Sequence, residues 1–321
     1  MTGVPAPAAD PAAHPWGARL AAAVRARESA LLVGLDPDPS ALWPGATPPS
    51  AASPADAAAH AVADHARRVL DAVAPACVGV KLQSASFERL GAPGVAALAR
   101  VAAHARDLGL IVLLDAKRGD IDVSAASYAA AALGSTPTPW GPVEGLGADA
   151  VTVAPYMGRD SIQPFADVAA ANGRGVFVLV RTSNPGAGDL QERPLGDGRS
   201  LWERTAELVA SIGTDAARAA GPLGPERPAL DPIGAVVGAT APDHLERLRE
   251  LLPRAPLLLP GVGAQGGRVE DLAAAFAAGP GAGLVTVSRS IVGAAAPGED
   301  PAEAARRAAE SLRAAIAAVA G

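Results

Sequence analysis

The sequence predicts one (β/α)8 barrel, and three observations carry that reading. Eight short runs rich in Leu, Val and Ile recur along the chain, each followed by a longer Ala-rich amphipathic stretch. The runs are continuously apolar rather than alternating, as strands covered on both faces should be. The length of 321 residues suits a barrel of about 250 residues with insertions. A doubly wound open sheet usually has fewer strands and a glycine-rich first turn, whereas the first turn here is Asp36-Pro37-Asp38-Pro39. Two smaller α/β domains would need a linker that the chain lacks.

In chain order, residues 1–16 are Ala/Pro-rich without periodicity and read as a flexible tail, leaving 17–321 as the barrel. The strand-like runs are Leu31–Asp36, Cys77–Gln83, Leu110–Asp115, Ala150–Ala154, Gly175–Arg181, Ile233–Gly238, Pro256–Pro260 and Gly283–Arg289. Helical stretches lie between them, among them Pro54–Val73, Val95–Leu108, Ser124–Leu133 and Leu201–Ala219, with Pro301–Val319 after the last run. Two connections exceed what a barrel needs. Ser135–Gly147 follows the third helix, and Thr182–Arg199 leaves the C-terminal end of the fifth strand. Barrel enzymes carry their sites on that face, so the second connection is expected to be an extended lid.

Composition excludes several classes. With 33 acidic and 27 basic residues the net charge is −6, which offers no general attraction to a phosphate backbone. Four Trp, four Phe and two Tyr are too few for a base-stacking surface. Nucleic acid is therefore not expected as a partner. The longest uncharged stretch, Val123–Val143, contains Pro137, Pro139 and Pro142 and reads as a helix followed by a loop, not a membrane span. The N-terminus lacks the basic-then-apolar pattern of a signal peptide. The single cysteine, Cys77, lies in an apolar run and is expected to be buried in a chain of the reducing cytoplasm.

Only 19% of the residues are charged, so charges at strand ends are informative. Asp36, Lys81, Asp115 with Lys117, Arg181 and Arg289 close runs one, two, three, five and eight, all on one rim. The densest group is Asp115-Ala116-Lys117-Arg118-Gly119-Asp120. Side chains alternate along a strand, so Asp115 and Lys117 should share a side. An ammonium beside a carboxylate is a proton donor rather than a Schiff-base nucleophile. Gly119 lets the chain turn and carry Asp120 away, toward another subunit or another ligand group. Pro260–Gly267 follows the seventh run and is glycine-rich. Such turns let backbone N–H groups approach an anion, and barrels often bind phosphate after strands seven and eight, where Arg289 adds a cation.

These residues resemble the orotidine 5′-phosphate decarboxylase family, in its bacterial type 2 branch. The motifs are LLDAKRGDI (113–121), VGLDPDP (33–39), GVKLQSASFE (79–88), VRTSNPGAGDLQ (180–191), LLPGVGAQGG (258–267) and SRSI (288–291). The resemblance implies a cofactor-free, metal-free decarboxylase that turns orotidine 5′-phosphate into UMP and CO2 in pyrimidine synthesis. Lys81, Asp115, Lys117 and Asp120 match its charged array, with Lys117 the proton donor and Asp120 supplied across a homodimer interface. Asp36 matches a ribose-hydroxyl ligand and Ser183, beside Thr182, a contact to the pyrimidine. Gln265, Gly266 and Arg289 match the phosphate site. A related magnesium-dependent sugar-phosphate decarboxylase shares the Asp-x-Lys-x-x-Asp core but places an acidic metal ligand where Lys81 stands. A non-catalytic nucleotide-phosphate binder is the remaining alternative. Asp122 departs from the family pattern and adds a negative charge near the helix start.

Overall fold

A computed structural model describes residues 15–45, 53–219 and 230–321. The eight expected runs all form strands of one closed barrel. These are β1 (Leu31–Leu35), β2 (Gly79–Gln83), β3 (Ile111–Arg118), β6 (Ala150–Val153), β7 (Gly175–Arg181), β8 (Ile233–Val237), β9 (Leu257–Pro260) and β10 (Gly283–Val287). All neighbouring pairs are parallel, and β10 closes onto β1 through Leu31–Val285, Leu32–Thr286 and Val33–Val287. The remaining strands, β4 (Ser135–Thr136) and β5 (Val143–Glu144), make a small antiparallel ribbon within the long connection after the third expected helix.

The helices are α1 (Trp16–Arg27), α2 (Pro54–Val73), α3 (Ser84–Glu88), α4 (Gly91–Asp107), α5 (Asp122–Leu133), α6 (Gln163–Ala171), α7 (Ala187–Leu190), α8 (Leu201–Ala219), α9 (Leu245–Leu251), α10 (Arg289–Val292) and α11 (Pro301–Ala320). Their starts follow local chemistry. The Ser53 hydroxyl accepts the Asp56 N–H ahead of Pro54, and the Asp300 carboxylate accepts the Ala302 N–H ahead of Pro301. Between β9 and β10 the expected helix is instead a 3-10 stretch, Val269–Phe276.

Two layers of apolar packing result. Leu32, Ile111, Leu113, Phe177, Leu258 and Leu284 fill the barrel interior, while the opposite faces of the strands meet the helices. The expected tail lies largely on residues 1–14, outside the described residues, but its last residue behaves otherwise. Trp16 is 1% exposed and opens α1, a helix that closes the N-terminal end of the barrel together with Leu20. It stacks so closely over Gly175 that a Cβ there would stand 2.4 Å from the indole nitrogen. Buried Asp149 fixes this plug. Its carboxylate accepts from Arg19 (2.6 Å), Arg174 (2.7 Å) and the Val112 N–H (2.9 Å). Among the described residues no helix is long and apolar enough to cross a membrane.

Candidate active site

At the opposite end the strands' C-termini surround a cavity of about 450 Å³. Seven of the nine residues singled out in the sequence line it: Asp36, Lys81, Asp115, Lys117, Ser183, Gln265 and Arg289.

The centre of the site is Asp115. Its Oδ2 accepts from Lys81 Nζ at 2.7 Å, and its Oδ1 from Lys117 Nζ at 2.6 Å and Thr152 Oγ1 at 2.9 Å. The Asp115 side chain is 7% exposed, Lys81 11% and Lys117 44%. Burial alone would raise the Asp115 carboxyl, but the two ammonium groups outweigh it and hold the group at about 2. Both carboxylate oxygens are therefore committed to cations, and Lys117 alone of the pair reaches toward open space.

Simple alternation does not bring Lys117 there. The register between β3 and β6 shifts between Leu114 and Arg118, and Lys117 has φ +46°, a left-handed conformation. Thr152 supports this irregularity by accepting the Lys117 N–H at 2.9 Å while donating to Asp115. Thr152 escaped the sequence reading because it is one hydroxyl in an apolar strand. So did Gln83, whose Oε1 accepts from Lys81 at 3.3 Å.

Around this centre, the Ser288 hydroxyl donates to the Asp36 carboxylate across the β10–β1 seam. Ser183 Oγ donates to Gln265 Oε1 at 2.8 Å, joining the fifth and seventh barrel connections over the cavity. Thr182 is otherwise engaged: its Oγ1 accepts from Gln191 Nε2 (2.8 Å) and bonds Asn184 Oδ1 (2.7 Å). Gln191 also lines the cavity, so the expected lid begins with a stem tied to the wall. The Arg289 guanidinium has no ion-pair or hydrogen-bond partner among the described residues. Lining charges are Lys81, Lys117 and Arg289 against Asp36 and Asp115, a net +1 in an acidic chain.

Arg181, Gly266 and Asp120 lie outside the cavity lining. Arg181 does not line the cavity; its Nε pairs with Glu192 at 2.5 Å. Gly266 (φ +91°) shapes the turn but does not line the cavity, and its N–H is spent on Gly263 O at 2.8 Å. The Gly263 and Gly267 N–H groups are likewise spent inside the turn, so these glycines form its bend. Asp120 is half-buried outside the cavity of its own chain, its carboxylate accepting the Ile121 N–H at 2.9 Å.

Comparison with known proteins agrees with this geometry. Residues 29–308 match the model of the orotidine 5′-phosphate decarboxylase / HUMPS family. The chain is 41% identical over 280 residues to an orotidine 5′-phosphate decarboxylase of Rhodopirellula baltica, covering 86% of this chain and 88% of that one. It is 45% identical over 223 residues to the enzyme of that name from Deinococcus radiodurans, covering 70% and 74%. Among solved structures, that of Leishmania donovani OMP decarboxylase superposes with a TM-score of 0.66 at 32% identity, covering 93% of this chain and 98% of that one. A family match over the whole barrel, with the lysine–aspartate array assembled in its mouth, means that the chain belongs to the orotidine 5′-phosphate decarboxylase / HUMPS family.

Proposed function

We propose that the protein decarboxylates orotidine 5′-phosphate to UMP and CO2, with Lys117 as proton donor and without a metal or cofactor. The observation that carries this is the Lys81–Asp115–Lys117 array in one cavity with an Arg289 that has no partner among the described residues. The substrate is an anion with a carboxylate at one end and a phosphate at the other, and the cavity carries cations for both. Breaking the bond between C6 and the carboxylate leaves its electron pair on C6. Lys117 Nζ, the half-exposed ammonium, stabilises that developing charge and delivers a proton to the carbon. Asp115 stays ionised beside the departing carboxylate and fixes where Nζ points. Arg289 and Gln265 grip the phosphate, and Asp36 holds a ribose hydroxyl. Binding energy from that remote group supports the reacting geometry and lid closure, so loss of the phosphate lowers kcat as well as raising KM.

Asp120 serves the site of a second copy of the chain. Ile121, Val123, Tyr156 and Met157 are exposed apolar side chains on the segments beside it, which suits a surface covered in a homodimer. Cys77, buried with its thiol pushed up to about 12, suits a reducing cytoplasm. A magnesium-dependent mechanism is disfavoured because Asp115 already has an ammonium on each oxygen. The test is the fall in orotidylate absorbance on mixing, with and without EDTA. Chelator-insensitive turnover supports the reading, metal-dependent turnover overturns the cofactor-free mechanism, and UMP binding without turnover overturns catalysis.

A further inference from the structure

We propose that Trp43 and His65 are positioning residues for Arg289, setting its separation from Asp36 and hence the cavity's fit to a nucleoside monophosphate. The proposal rests on the phosphate-gripping role assigned to Arg289 above.

Asp36 and Arg289 leave adjacent strands, β1 and β10, and their connections are tied at two places. At the cavity the Ser288 hydroxyl meets Asp36. Behind it the Trp43 indole N–H donates to Val292 O at 2.8 Å. Val292 ends α10, a helix of a single turn that begins with Arg289. So short a helix has few bonds of its own, and its last carbonyls need outside donors. Trp43 supplies one, from a side chain that is only 6% exposed, where a buried indole N–H needs a partner.

Trp43 is in turn fixed from α2. Its backbone N–H donates to His65 Nδ1 at 3.0 Å, and the two rings meet edge to face at 5.4 Å. Burial, helped by the charge of Arg68, pushes His65 down to about 4, so Nδ1 keeps its lone pair near neutrality. Arg68 also donates to Pro44 O at 2.8 Å, and Arg89 to Pro37 O at 3.0 Å. The segment from Asp36 to Trp43 is thus pinned at both ends, and α10 is hung from its far end. A rotation of α10 swings the long Arg289 side chain, while Asp36, held by Ser288 and β1, stays.

The experiment is a double-mutant cycle on UMP affinity, measured by calorimetry with Trp43→Phe, Arg289→Ala and both together. Phenylalanine keeps the ring and removes the N–H. Trp43→Phe should weaken UMP about tenfold in the unaltered background and less than about twofold beside Arg289→Ala. Equal losses in the two backgrounds overturn the positioning role, because a merely structural residue acts independently of Arg289. If the Phe variant fails to fold, His65→Asn, which retains an acceptor, should bind UMP better than His65→Leu; equal affinities overturn the role. No UMP affinity in the unaltered chain would instead overturn the functional reading itself.

Discussion

Replacing Asp115 by asparagine keeps the side chain's shape and removes the one negative charge between two ammonium groups. The local charge of Lys81, Asp115 and Lys117 rises from +1 to +2. In the folded protein the Asp115 carboxyl is held at about 2, against 3.8 for the free group. That depression corresponds to roughly 2 kcal/mol of stability at pH 7. Lys81, 11% exposed, is then left without a counter-charge, whereas Lys117 at 44% relaxes into water. The expected loss is about 2–4 kcal/mol at pH 7. The sign with pH follows from the depressed value. The stabilisation is fully present above the unfolded value near 4 and is lost as pH falls through about 2. The gap between parent and Asp115→Asn should therefore hold from pH 7 to 5 and shrink by about half at pH 3. Urea unfolding followed by circular dichroism at pH 7, 5, 4 and 3 measures it. A variant as stable as the parent at pH 7, or a gap undiminished at pH 3, would mean that the Asp115 charge does not stabilise the fold.

Lys117→Ala should abolish decarboxylation with the fold intact, since its side chain is half-exposed; substantial turnover with normal circular dichroism would sink its role as proton donor. Mixing Asp120→Asn chains with Lys117→Ala chains should restore partial activity through hybrid sites. No recovery despite proven subunit exchange counts against a shared site. Thr152→Val should lower kcat at least tenfold, because it removes both the acceptor for the Lys117 N–H and a donor to Asp115; unchanged kcat would mean that Lys117 needs no such support. Trp16→Ala should cost about 3–5 kcal/mol of stability by emptying the plug, while leaving KM near the parent value. A change below about 1 kcal/mol in urea unfolding would argue that α1 is dispensable.

The barrel was legible because its strands are buried on both faces, which writes uninterrupted apolar runs such as LLVGL and IGAVV into the sequence. Helix α1 was not read, although Trp16, Leu20 and Val24 recur every four residues. The Ala/Pro-rich tail running into it hid that spacing, and a plug across the end of the barrel has no place in a strand–helix count. At the site, charged residues were legible since so few occupy strand ends. Neutral residues that hydrogen-bond to those charges were not. Thr152, Gln83 and Ser288 look like ordinary strand or turn residues, and only the closed sheet brings them to Asp115, Lys81 and Asp36. Gly266 belongs to the expected phosphate turn, and its N–H is used in forming the bend.

The position of Lys117 joins these points. A left-handed backbone at a non-glycine residue costs about 1–2 kcal/mol, and here it falls on the proposed proton donor. A regular strand would have set Lys117 and Asp115 on one face two residues apart, with the ammonium free to choose among rotamers. The irregular β3–β6 register instead turns the Lys117 backbone toward Thr152, which takes its N–H, while Asp115 takes its ammonium. Backbone and side-chain tip are each held, so less motion separates the resting ammonium from a proton-donating one. The two bonds offset the conformational cost, and the one to the ammonium depends on Asp115 remaining ionised. Its depressed pKa is therefore part of the geometry: the charge that keeps Lys81 and Lys117 together also fixes the side chain of the proposed proton donor.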